Sequence, residues 1–159
     1  MILTVDGRHY GVPFRIEVDP RVKTSPEDLR KQFDASYAVY QDLLALQPVV
    51  IKANAARAQL KEMRGKASGA QGAKLDEVSK KLDAVAGGEG RRRRGPHTDS
   101  LTGVRDSLLQ MLATLQEVDL APTSQATEAL PKLHQSTTSL LEQWNQFEAE
   151  ELAPLKIQP

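Results

Sequence analysis

The periodicity of this chain changes once, and that change constrains the architecture more than any other feature. From Tyr10 to Val18 apolar residues occupy alternate positions, Tyr10, Val12, Phe14, Ile16 and Val18, with Gly11, Pro13, Arg15, Glu17 and Asp19 marking the other face. This is the pattern of a strand with one apolar side. After Asp19-Pro20-Arg21-Val22-Lys23-Thr24 the spacing lengthens to three and four and stays there. Everything before the change reads β, and everything after it reads α. Ser25-Pro26-Glu27-Asp28 predicts the helix start: a serine hydroxyl as N-cap, proline at the first helical position, and two carboxylates at the positive end of the dipole.

Upstream of Tyr10, Asp6-Gly7 sits between two extended runs and predicts a two-residue type I′ hairpin turn, which needs positive φ at both central residues. Val5 then faces Arg8, Leu3 faces Tyr10 and Met1 faces Val12, leaving Phe14, Ile16 and Val18 without partners. A lone hairpin with one apolar face is not independently stable. The missing strands are therefore expected from an upstream segment or from another molecule, and Tyr10, Val12, Phe14, Ile16 and Val18 form the candidate partner-pairing edge. Pro13 suits an edge, because it has no N–H to give to a ladder.

The remainder predicts four helices. The first carries Leu29, Phe33, Tyr37, Tyr40 and Leu44 on one stripe, meets Pro48, where a kink is expected, and continues with Val49, Ala53, Ala56, Leu60, Met63 and Ala67. Gly65, Gly69 and Gly72 mark a turn. A shorter helix follows with Leu75, Val78, Leu82 and Val85 at heptad spacing, ending at Gly87-Gly88. Residues 87–98, with four consecutive arginines and no apolar side chain, read as a flexible linker exposed to proteolysis. The third helix starts near Asp99 or Ser100 with Leu101, Val104, Leu108, Met111, Leu115 and Val118. After Ala121-Pro122-Thr123 the fourth carries Leu130, Leu133, Thr137, Leu140, Trp144 and Phe147, and Pro154 stops it. The expected fold is mainly α: an up-down antiparallel bundle of four helices, the first long and kinked, over residues 23–159, preceded by a β-hairpin at 1–22.

Charge is balanced at 21 basic and 21 acidic residues but unevenly placed, with eighteen basic against twelve acidic residues up to His97 and three against nine after it. Basic and acidic helices packed on one another suit that asymmetry, although most such charges are solvated. The chain has no cysteine, which excludes disulfides, thiolate catalysis and cysteine-based metal sites. The first residues, Met1-Ile2-Leu3-Thr4-Val5-Asp6, lack a basic stretch and a long apolar core, so they read as neither signal peptide nor membrane span.

Candidate chemistry is sparse. Arg91 to Arg94 could meet phosphates, but no aromatic residue interleaves with them and no helix carries them, so nucleic-acid binding is not expected. His9, His97 and His134 lie far apart, and none has a second histidine or a carboxylate three or four residues on to chelate a metal. Glu148, Glu150 and Glu151 read as the wet face of the last helix. No nucleophile elbow, phosphate loop or dinucleotide fingerprint is present. The expectation is a chain with no catalytic residue and no cofactor.

Leu3-Thr4-Val5-Asp6-Gly7, the run Phe14-Arg15-Ile16-Glu17-Val18-Asp19-Pro20-Arg21-Val22, Thr24-Ser25-Pro26-Glu27-Asp28-Leu29, Ala121-Pro122-Thr123 and Leu141-Glu142-Gln143-Trp144 resemble the C-terminal end of large bacterial proteins with BNR-repeat, sortilin-like β-propellers, often labelled glycosyl hydrolases. The resemblance implies that the hairpin closes an immunoglobulin-like sandwich and that a helical region follows it. It carries over no catalytic residue, because the propeller is absent. It implies a periplasmic or extracellular setting by a signal this chain does not carry, so the chain as written is expected in the cytoplasm. The resulting expectation is a non-catalytic accessory or structural fragment whose partner is an upstream immunoglobulin-like or propeller domain in cis, or a protein in trans. Alternatives are a free-standing protein that adds its hairpin edge to a partner sheet, an accessory domain of a glycan-processing enzyme, and self-association through the same edge.

Overall fold

The computed structural model describes residues 1–88 and 99–157; the Arg91 to Arg94 run, His97 and the linker beyond Gly88 lie outside them. The fold is mainly helical, with one two-stranded antiparallel hairpin ahead of four helices. Strand β1, Ile2–Val5, pairs with β2, Arg8–Gly11, in the register Val5 with Arg8 and Leu3 with Tyr10. Asp6 (φ 49°) and Gly7 (φ 75°) both take the left-handed conformation that the Asp-Gly turn requires. Strand β2 stops at Gly11, opposite Ile2 at the start of β1, and residues 12–19 continue without turn or bend.

Helix α1, Pro26–Lys66, is capped as its sequence specifies: the Asp28 N–H donates to the Ser25 hydroxyl at 3.1 Å, and Pro26 holds the first turn. Its 41 residues imply a length of roughly 60 Å, and they run through Pro48 as one helix. Helix α2, Gly69–Ala86, returns along the second half of α1, with Arg64 on Asp76 at 2.7 Å and Arg57 on Asp83 at 3.1 Å.

Helix α3, Leu101–Gln116, begins where α2 ends, since the Thr102 hydroxyl donates to the Ala86 carbonyl at 3.0 Å. Its far end meets the start of α1, where the Gln32 side-chain amide donates to the Leu115 and Val118 carbonyls, both at 2.6 Å. Thus α3 keeps the direction of α2, and the two lie in tandem along α1. Gly87 makes this junction possible. Its φ is +89°, and a Cβ there would stand 2.2 Å from the Thr102 hydroxyl.

Helix α4, Ser124–Phe147, then runs parallel to α1, with His134 on Asp42 at 2.8 Å and Glu148 on Lys52 at 3.1 Å. A π-helical turn, Glu148–Leu152, and a 3₁₀ turn, Ala153–Leu155, close the chain over buried Leu152 and Ile157. The bundle therefore has three helices in cross-section: α1, α4, and either α2 or α3. Its core joins Val39, Leu46, Val50, Ala53, Ala56 and Leu60 of α1 to Leu75, Val78 and Leu82, to Leu101, Val104, Leu108 and Leu115, and to Leu133, Leu140, Trp144 and Phe147.

Candidate functional site

The candidate edge lies wholly in solvent. Tyr10, Val12, Phe14, Ile16 and Val18 are all exposed, Ile16 at 85% and Phe14 at 66%, and so is every residue of both strands. The backbone ladder ends at Val12, whose N–H donates to the Met1 carbonyl at 3.0 Å while the Met1 ammonium donates to the Val12 carbonyl at 3.0 Å. Among the described residues no backbone group pairs with those of residues 13–18. The segment is closed downstream by a turn in which the Val22 N–H donates to the Asp19 carbonyl at 2.9 Å. Arg21 donates its backbone N–H and its guanidinium to the Asp19 carboxylate, the closest contact 2.7 Å, and the guanidinium chiefly holds that carboxyl below its ordinary range.

A second apolar surface overturns a sequence expectation. Phe33, Tyr37, Tyr40 and Leu44 were expected inside the bundle, yet all four are about half exposed. Phe33 stacks on Tyr37 with ring centroids 5.8 Å apart, Tyr37 meets Tyr40 at 6.4 Å, and the Arg30 guanidinium lies 5.7 Å from the Phe33 ring. The reason is that Pro48 does not shift the seam. Carrying the buried positions Leu60 and Ala53 back through the proline at heptad spacing leads to Leu46 and Val39, which are buried, with Val50 and Ser36 beside them. The other helices pack against this face, and the aromatic row is left on the flank of α1.

The histidine and glutamate readings also change. His134 has no ligand-spaced partner along its own helix, but the fold brings Asp42 of α1 to its Nδ1 at 2.8 Å. This pair stands beside an apolar cavity of about 240 Å³ lined by Val39, Leu108, Leu130, Pro131 and Leu133. Glu148 is not on a wet face: it accepts from the Trp144 indole at 2.9 Å and pairs with Lys52. Glu151 pairs with Lys81 of α2 at 2.6 Å. Only the fold could reveal these partners, which are 70 to 96 residues apart in sequence.

A larger cleft, about 620 Å³, lies between α1 and α2, lined by Arg57, Lys61, Arg64, Lys80, Asp76 and Asp83 among others. Two of its cations are already spent on carboxylates, and the Arg64 guanidinium holds Asp76 below the usual carboxylate range. Among the described residues no group of three His, Asp or Glu side chains could hold a metal, and no helix is long and apolar enough to cross a membrane. Two exposed rows of large apolar side chains are present among the described residues, the N-terminal edge and the aromatic row of α1. No family model, no curated protein and no solved structure matches this chain.

Proposed function

We propose that this chain is a non-catalytic accessory or structural module that works by strand addition, its N-terminal segment completing a β-sheet outside its own fold. The observation that carries this reading is the straight, unpaired run from Phe14 to Val18, apolar on one face, exposed, and directly continuing a formed ladder. A row of unpaired backbone groups beside a row of apolar side chains is stabilised when a sheet both pairs it and covers it. The resemblance to the C-terminal end of BNR-repeat, sortilin-like propeller proteins points to an immunoglobulin-like sheet as that partner, in cis or in trans, in the periplasm or outside the cell. A free-standing protein that augments a partner's sheet would use the same edge. Service to a glycan-processing propeller is the narrower variant.

The test is a photo-reactive residue in place of Ile16, compared with the same group at exposed Lys74 on α2, in cells of the native source. Adducts from position 16 to strands of an immunoglobulin-like domain, absent from position 74, are the expected result. Adducts no more frequent from position 16 than from position 74 would overturn the proposal.

A further inference from the structure

The edge has two sides, and only one can be paired. In an antiparallel ladder, residues whose N–H and C=O both face the neighbouring strand alternate with residues whose groups face away. Val12 exchanges both groups with Met1. Continuing the same pleat turns the backbone groups of Phe14, Ile16 and Val18 toward the β1 side, and those of Pro13, Arg15 and Glu17 toward the opposite side. The opposite side lacks a donor at Pro13, whereas the β1 side has every N–H in place. That open side is bounded at both ends. Met1 stands across from Val12, and the Asp19–Val22 turn takes the chain out of line after Val18.

The sequence of this slot is self-complementary in a single register. Set antiparallel about Ile16, Phe14 faces Val18 of a second copy on the apolar face, and Arg15 faces Glu17 of that copy on the polar face, twice by symmetry. Moving the register by two residues either way opposes Arg15 to Arg15 or Glu17 to Glu17, and like charges directly opposite destabilise a pair; in the second case the Asp19 carboxylate that would face Arg15 is already held in the turn by its own Arg21. Moving it by one residue places apolar side chains on the polar face. In the Ile16-centred register the Asp19 turn also removes each chain from the ladder just before it would meet Met1 of the other copy. Within one copy Arg15 and Glu17 contact each other at 3.2 Å while both remain mostly exposed, so both are available for the exchange.

We infer that the β1-side edge from Phe14 to Val18 pairs with the same segment of a second copy, antiparallel about Ile16, with Arg15 of each copy against Glu17 of the other. This rests on the strand-addition reading above and supplies the added strand where no other sheet is present. A two-stranded ribbon gains little by itself, so the association is weak and depends on concentration. The six backbone hydrogen bonds of its three inward-facing residue pairs and the two ion pairs give it register rather than great strength.

Sedimentation equilibrium of the purified chain, up to sub-millimolar concentration, tests this with Arg15→Glu, Glu17→Arg and the double exchange. The wild type should dimerise. Each single reversal sets two like-charge pairs across the symmetry axis and should weaken the dimer by about tenfold or more. The double exchange should return near to the wild-type constant, and an equimolar mixture of the two single variants should form a heterodimer. Helical circular dichroism should stay unchanged throughout, because residues 1–18 contribute nothing to the buried core. A wild type that stays monomeric, or a dimer whose constant ignores the reversals, overturns the inference. Neither outcome bears on pairing with another protein's sheet, which the cross-link from position 16 decides.

Discussion

Trp144 shows how a single residue helps tie the C-terminal part of α4 to α1. It is fully buried, packs on Phe147 with ring centroids 5.9 Å apart, and gives its indole N–H to Glu148, which in turn holds Lys52 of α1. Removing the side chain would leave a cavity, and Glu148 would lose its indole donor. Trp144→Ala should cost about 3–5 kcal/mol, read by chemical denaturation, and a loss below about 1 kcal/mol would show that the site relaxes to fill the space. Gln32 works at the same scale. Its amide donates to the Leu115 carbonyl in the last turn of α3 and to the Val118 carbonyl just beyond it, and so ties that end of α3 to α1.

At the scale of the element, α1 carries two apolar faces and the bundle uses one. Leu44 and Leu46 make the point with the same side chain two residues apart: Leu46 is fully buried, and Leu44 is 50% exposed. Leu46→Ala should cost about 2–5 kcal/mol and Leu44→Ala less than about 1 kcal/mol, by thermal or denaturant unfolding of both variants. Equal losses would mean that the aromatic row is covered in solution. The spacing of the row was legible in the sequence, as was its amphipathic character. Its place outside was not, because helical periodicity tells which residues share a face and says nothing of which face meets a neighbour. The residues the other helices pack against are Val39, Leu46, Ala53 and Ala56, all of them in the buried core.

At the scale of the whole molecule, the hairpin and the bundle share no buried core. Residues 1–22 place no side chain in the buried core, and the hydrogen bonds that tie the segment's end to the helices begin at Thr24, whose hydroxyl donates to the Asp119 carbonyl. Deleting residues 1–22 should leave helical content and the unfolding midpoint essentially unchanged, by circular dichroism against temperature. A midpoint lowered by more than about 4 °C, the shift that 1 kcal/mol can produce in a domain of this size, would show that the hairpin braces the bundle. The tandem course of α2 and α3 also belongs to this scale. It lets two helices of 18 and 16 residues cover one of 41.

The sequence by itself determined whatever is local. Asp6-Gly7 set the hairpin turn and through it the Leu3–Tyr10 register, Ser25-Pro26 set the start of α1, and Gly87 ended α2. Each works through backbone conformation or a hydrogen bond reaching only a few residues. The seams of α2, α3 and α4 were equally plain, because each of those helices has one apolar stripe, except that Val118, read as the last member of the α3 seam, lies beyond the helix end at Gln116 and is 53% exposed. Tertiary structure alone decided which stripe of α1 is buried, that α3 follows α2 in direction, and that Asp42, Lys52 and Lys81 receive His134, Glu148 and Glu151. Those outcomes depend on which surfaces pack most closely once several helices compete for the same groove, and packing of that kind is a property of the assembled side chains in three dimensions.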